Sequence, residues 1–129
     1  LQLSATTTSV SSPNLNLTFG GNGAISVTTA LSLGSASVTK DGGGTTTFLV
    51  SNTYTGGTTI SDGAINIQNA GALGASGSIT VNSGGTLQLQ NNITFARAIT
   101  INGNGDGSNT GAIRSVSGTN TVSATITLG

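Results

Sequence analysis

Three aspartates and three cations are all the charge this 129-residue sequence carries, so any acid–base or metal chemistry must be built from them. They are Asp41, Asp62 and Asp106, with Lys40, Arg97 and Arg114; histidine, glutamate and cysteine are absent. Polysaccharide hydrolysis or elimination needs two placed acid–base groups. The three aspartates stand about 20 to 45 positions apart, and Asp62 sits directly before Gly63, Asp41 before a glycine run and Asp106 before Gly107. Aspartate in such places hydrogen-bonds its own backbone and makes turns, which accounts for all three. A Ser-His-Asp triad has no histidine, and there is no thiolate to act as nucleophile or metal ligand. No catalytic residue, cofactor site or metal site is expected.

The run Asn102-Gly103-Asn104-Gly105-Asp106-Gly107 shares the composition of a glycine- and aspartate-rich calcium repeat. It lacks tandem copies, and one carboxylate is a poor cage for a hard dication, so it is expected to be a glycine-rich loop. Tyr54 is the single tyrosine. It is expected to cover one turn of the fold, with stacking on a sugar ring as the alternative. Lys40 and Arg97 are expected to pair with nearby aspartates as exposed pairs of small energetic weight. Thr6-Thr7-Thr8, Thr45-Thr46-Thr47 and Thr58-Thr59 raise the question of a flat hydroxyl ladder of the ice-binding kind. That would require threonine at the same place in every repeat, and the spacing of these clusters is too irregular for it. The isolated Lys and Arg residues exclude a nucleic-acid interface, which needs clustered cations. No apolar run approaches the ~18 residues of a membrane span.

The elements that hold these residues are strands. Apolar residues recur in i, i+2 pairs: Leu1/Leu3, Leu15/Leu17/Phe19, Ile25/Val27, Ile65/Ile67, Ile79/Val81, Leu87/Leu89, Ile99/Ile101 and Ile126/Leu128 among others. Period two is the mark of a strand with one buried face. The runs are short, and glycine or asparagine clusters such as Gly42-Gly43-Gly44, Asp62-Gly63 and Ser83-Gly84-Gly85 separate them. Strands this short need neighbours stacked above and below. Only 5% of the residues are charged, so the surface must be Ser, Thr, Asn, Gln and Gly. The stretch from Ala70 to Ala75 is the one helical candidate and is expected to bulge from the fold as a loop. A sandwich needs longer strands and hairpin turns. A solenoid of about 20 to 28 residues per coil fits better. The pairs Gly56-Gly57 and Gly84-Gly85, 28 positions apart, suggest its repeat. The expected fold is therefore all-β, a parallel β-helix of about five or six coils forming one segment over residues 1–129.

The densest pattern runs from Val38-Thr39-Lys40-Asp41-Gly42-Gly43-Gly44 through Asn52-Thr53-Tyr54-Thr55-Gly56-Gly57-Thr58-Thr59-Ile60 to Asp62-Gly63-Ala64-Ile65-Asn66-Ile67, Gly71-Ala72-Leu73-Gly74 and Ile79-Thr80-Val81. It resembles the autotransporter-associated β-strand repeat, also called the passenger-associated transport repeat, over about residues 38–89. Asn52, Thr53, Tyr54, Thr55, Gly56, Gly57, Thr58 and Ile60 match the most specific part of the family pattern. Phe48-Leu49-Val50 departs from the family's L-x-L, and Ile65 from its preferred leucine; both swaps are conservative in a packed stack. The resemblance implies a right-handed β-helix in a secreted or surface-exposed passenger of a Gram-negative-type bacterium. It further implies a repeat that is not catalytic, extends a stalk and aids export across the outer membrane.

Both ends begin or finish in strand pattern with no polar cap: Leu1 and Leu3 at one, Ile126 and Leu128 at the other. Open strand edges template further strands. The expected partners are thus adjacent β-helical repeats or copies of the chain, stacked end to end into a fibre, with glycans or a host surface as the alternative partner of an adhesin face.

Overall fold

A computed structural model of the chain describes residues 2–3, 9–107 and 111–129. All of its regular structure there is strand, in sixteen short pieces. Two six-stranded parallel sheets run the length of the rod. The first stacks Gln2–Leu3, Ile25–Val27, Thr45–Phe48, Gly63–Ile67, Gly85–Gln90 and Ile113–Ser117 in that order. The second stacks Leu17–Phe19, Val38–Lys40, Thr58–Ile60, Ile79–Asn82, Ile99–Asn102 and Ile126–Leu128. The chain visits the sheets alternately, so each circuit adds one rung to both. Two short pairs, Ser9–Ser11 with Ala30–Ser32 and Thr94–Phe95 with Thr121–Val122, form a third side. This is a parallel β-solenoid. About four turns have neighbours on both sides, slightly fewer than the five or six coils expected, because the outermost rungs are flanked on one side alone.

Alternation puts one set of side chains inside. In the first sheet Ile25, Thr46, Ile65 and Leu87 form one inward column, and Val27, Phe48, Ile67 and Leu89 the next. In the second, Val38, Thr58 and Ile79 align in one column and Phe19, Lys40, Ile60 and Val81 in the other. The columns are mostly aliphatic from rung to rung, with Thr46, Thr58 and Lys40 as the polar members, so the narrow interior is filled largely by mid-sized apolar groups. Phe19 and Phe48 meet edge to face, with ring centroids 5.5 Å apart.

The register corrects two expectations. Gly85 lies beside Gly63, not above Gly57, which approaches Ser78 instead. The two glycine pairs are therefore not equivalent positions. In the central turns the coil is 20 to 22 residues, as the cross-coil hydrogen bonds record. The segment from Ala70 to Ala75 does not bulge: Ala72 and Leu73 are fully buried in the core. Its turn folds inward because Leu73 is the apolar residue available to fill the third side at that level, where no regular strand runs.

Candidate functional site

The family-like motif occupies this third side at mid-rod, and its residues work as cross-coil fasteners. Asn52 is almost wholly buried. Its Oδ1 accepts from the Leu31 N–H at 2.8 Å in the coil below, and its Nδ2 donates to the Ala72 carbonyl in the coil above. Its own N–H donates to the Gly71 carbonyl at 3.0 Å. One side chain thereby satisfies two backbone groups of two different coils, which would otherwise be buried without partners. Thr53 and Thr55 face outward. The Thr53 N–H donates to the Leu31 carbonyl at 3.0 Å, and the Thr55 N–H to the Gly34 carbonyl at 2.8 Å. Gly56 passes so close to Ala36 that a Cβ would enter the Ala36 carbonyl group. Gly57 has more room, a Cβ there lying 2.9 Å from the Ser78 carbonyl oxygen. Thr58 and Ile60 point into the core and begin the next rung of the second sheet.

Tyr54 is fully buried, which corrects both expectations for it: it neither caps a turn from outside nor offers a ring face to a sugar. Its hydroxyl lies 2.8 Å from the hydroxyl of Thr58, so each polar group meets the other's need inside the core. Burial pushes the phenol up to about 12, with the Thr58 hydrogen bond and the charge of Arg97 acting in the opposite direction. The folded state thus holds its proton above the pH where the unfolded chain loses it, so this group's stabilisation is intact below the ordinary value of 10.0 and is lost as pH rises towards 12. Because Tyr54 is the single tyrosine, phenolate absorbance reports it alone. We expect no phenolate signal from the native rod at the pH where the urea-unfolded chain is half-ionised, and Tyr54→Phe should extend the stability plateau to higher pH. Ordinary titration with a native circular dichroism spectrum would contradict the burial.

The two cations of the central coils also behave differently from expectation. Neither makes an exposed pair with an aspartate. Lys40 is 1% exposed and points inward between Phe19 and Ile60. Its Nζ donates to the carbonyl of Gly42 and, at 3.4 Å, to that of Asp62. Burial lowers its pKa, while the nearby charges of Asp62 and Asp41 work to raise it. Arg97, one coil above the 73–77 turn, donates to the carbonyls of Leu73, Gly74, Ser76 and Gly77. Its planar fork suits several acceptors that do not lie in a strand ladder. The signal for Arg97 was its distance of about one coil from residues 73–77, which has meaning only once the coil length is known.

Asparagine repeats the Asn52 device at the surface. Asn16 Oδ1 accepts from Ser37 N–H at 2.9 Å, Asn22 Oδ1 from Gly43 N–H at 3.2 Å, and Asn120 Oδ1 from Ile93 N–H at 3.0 Å. The asparagines read from composition as surface residues are therefore cross-coil hydrogen-bonding groups. Asp62 Oδ1 accepts from the Gly63 N–H at 2.9 Å, which is the turn role expected of it. No cluster of metal-ligating side chains and no pocket is found among the described residues.

Of the residues expected at the ends, Leu1 lies outside the described residues, and Leu3 is placed by its backbone beside Val27. At the other end Ile126 and Leu128 align with Ile99 and Ile101, on the inward columns of the second sheet. They are nonetheless 45% and 80% exposed, because among the described residues no strand pairs with their outer side, and Val116 on the outermost described rung of the first sheet is also exposed.

Residues 38–67 match the family model described as the passenger-associated-transport-repeat. The match takes in Lys40, the whole Asn52–Ile60 motif and the Asp62-Gly63 turn. Comparison with curated proteins and with solved structures gave no match. The segment 38–67 is thus similar to the passenger-associated transport repeat, and it supplies two successive rungs to each of the two main sheets of the β-solenoid.

Proposed function

We propose that the chain is a non-catalytic structural segment of a secreted or cell-surface passenger in a Gram-negative-type bacterium, a right-handed β-helix that lengthens a fibre, stalk or adhesin by stacking on further β-helical coils. The repeat at 38–67 supports the passenger assignment. The observation that carries the stacking is the open last rung. Ile126 and Leu128 continue an interior column into solvent, and the outer edges of Ile113–Ser117 and Ile126–Leu128 have no strand beside them. Covering Leu128 recovers most of the ~1.5–3 kcal/mol of a fully buried side chain and covering Ile126 about half of it, and an added strand satisfies the edge N–H and C=O groups at the same time. The scarcity of charge leaves little repulsion between copies.

Sedimentation and electron microscopy of the chain test this. The wild type should form end-to-end oligomers that lengthen with concentration, with an axial spacing of ~4.8 Å carried across each junction. A double change, Ile126→Asp with Leu128→Asp, should leave single rods with an unchanged circular dichroism spectrum. A wild type that stays monomeric at high concentration would remove the stacking from the proposal.

A further inference from the structure

The threonine clusters visible in the sequence do not make one face. Thr45, Thr46 and Thr47 belong to the first sheet, Thr59 lies outward on the second, and Thr58 points inward. Thr6, Thr7 and Thr8 lie outside the described residues. A different row does form. Strand register sets Thr18 beside Thr39, Thr39 beside Thr59, Thr59 beside Thr80, Thr80 beside Thr100, and Thr100 beside Thr127. Every rung of the second sheet therefore presents one threonine at the same outward position. The clusters are as irregular as expected; the row takes only Thr59 from them and has one threonine per rung.

The surroundings of the row keep it flat. Outward positions two residues before and after these threonines hold only Gly, Ala, Ser, Thr, Asn and a single Asp, Asp41. No side chain on the face is longer than asparagine, and none is aromatic. The six hydroxyls make no hydrogen bond to other protein groups among the described residues, so their donors and acceptors remain for what lies outside. Parallel strands lie about 4.8 Å apart, so the row is a regular line of roughly 24 Å. Threonine is stiff at χ1, so its methyl and hydroxyl are held in place with little rotamer entropy left to lose on contact.

We propose that the outer face of the second sheet, through Thr18, Thr39, Thr59, Thr80, Thr100 and Thr127, adsorbs to ice. The charge on the face selects this occupant. Without cations it has no complement for phosphate or an acidic polymer. Without aromatic rings it has no platform for a sugar. Without large apolar or aromatic side chains it lacks the anchors of a protein interface. The threonine row is uncharged and periodic, with Asp41 the one charge beside it; such a row of donors, acceptors and methyls is complementary to a surface that is itself uncharged, periodic and made of donors and acceptors. One hydroxyl gains little over its bonds to liquid water. A rigid row meeting a rigid lattice engages all its members together, and the contributions then combine as in multivalent binding.

The test grows polycrystalline ice slowly from a dilute solution of the chain and measures the protein in the ice and in the liquid. We expect several-fold enrichment in the ice, with small, stable crystals on annealing. Thr59→Tyr with Thr80→Tyr, outward changes that suit a strand, should lower both effects to those of an inert control protein. Thr47→Tyr, on the outer face of the first sheet, should leave both unchanged. Circular dichroism verifies the fold of each variant. Exclusion of the wild type from ice would overturn the proposal. So would equal loss in Thr47→Tyr, retention on cellulose or chitin powder in place of ice, or pairing of copies that the Thr59/Thr80 change abolishes.

Discussion

Replacing Asn52 by leucine should destabilise the rod by about 3 to 5 kcal/mol, although the two side chains are similar in volume. The change strands two buried backbone groups at once: the Leu31 N–H loses Oδ1 as acceptor, and the Ala72 carbonyl loses the Nδ2 donor. Each orphaned group costs about 1–3 kcal/mol because no water can replace the partner. The neighbourhood is sealed, since Leu31, Ala72 and Tyr54 are all fully buried. Urea unfolding should show a lower midpoint with an unchanged slope. Asn22→Ala supplies the contrast. Asn22 bridges to the Gly43 N–H in the same way but at an exposed site, where water substitutes, and about 1 kcal/mol or less should be lost. Equal effects of the two substitutions would show that Asn52 is not a buried fastener.

A second large effect is expected from Gly63→Ala. Gly63 has φ +65°, and a Cβ built there would lie 2.5 Å from the Gly44 carbonyl oxygen and closer still to that of Gly42. Those are backbone atoms of the adjacent coil and cannot swing away. The left-handed conformation costs alanine roughly 1–2 kcal/mol, and overpacking against fixed atoms adds about 1–3 kcal/mol. The total of about 2–5 kcal/mol is a large share of a domain's stability. Gly21→Ala separates the two causes, because Gly21 has φ +86° but nothing within 4 Å of its would-be Cβ. It should lose only the conformational part. If Gly63→Ala costs no more than Gly21→Ala, the coils do not approach as closely as described.

These two sites show what was legible in the sequence. Alternating Ile and Val, with Asp62-Gly63 between the runs, announced short strands and a turn without reference to any partner, because alternation and turn chemistry are local. The motif around Asn52 was legible as a pattern, but its role was not. Asparagine at 52 acts on residues 31 and 72, and only the coil length connects those positions. The observed coil of 20 to 22 residues lies within the expected 20 to 28, but the Gly56-Gly57 and Gly84-Gly85 pairs pointed to its upper end because they look alike while lying at different points of the circuit. The better signal was the triplet with threonine in its middle: Val38-Thr39-Lys40, Thr58-Thr59-Ile60, Ile79-Thr80-Val81, Ile99-Thr100-Ile101. Lys40 hid that signal, because a charged residue at an inward position breaks the apolar pattern, although its stem packs as an aliphatic chain and its ammonium reaches carbonyls. Tyr54 was misplaced for a related reason. A lone aromatic among threonines resembles a surface residue until Thr58 is seen to turn inward and satisfy its hydroxyl.

The stacking of coils, the fasteners at Asn52 and Arg97, and the threonine row all depend on one register, and cross-linking tests it directly. The chain has no cysteine, so an introduced pair is the only route to a disulfide. Thr59 and Thr80 are register partners on adjacent rungs of the second sheet, whereas Thr59 and Thr100 are two rungs apart. Adjacent rungs hold Cα atoms about 4.8 Å apart, inside the roughly 4.4–6.8 Å that a disulfide accepts; two rungs fall well outside it. Under mild oxidation the Thr59→Cys/Thr80→Cys variant should close completely within the monomer and remain native by circular dichroism, while Thr59→Cys/Thr100→Cys stays reduced. Closure of the second pair, or failure of the first, would contradict the register.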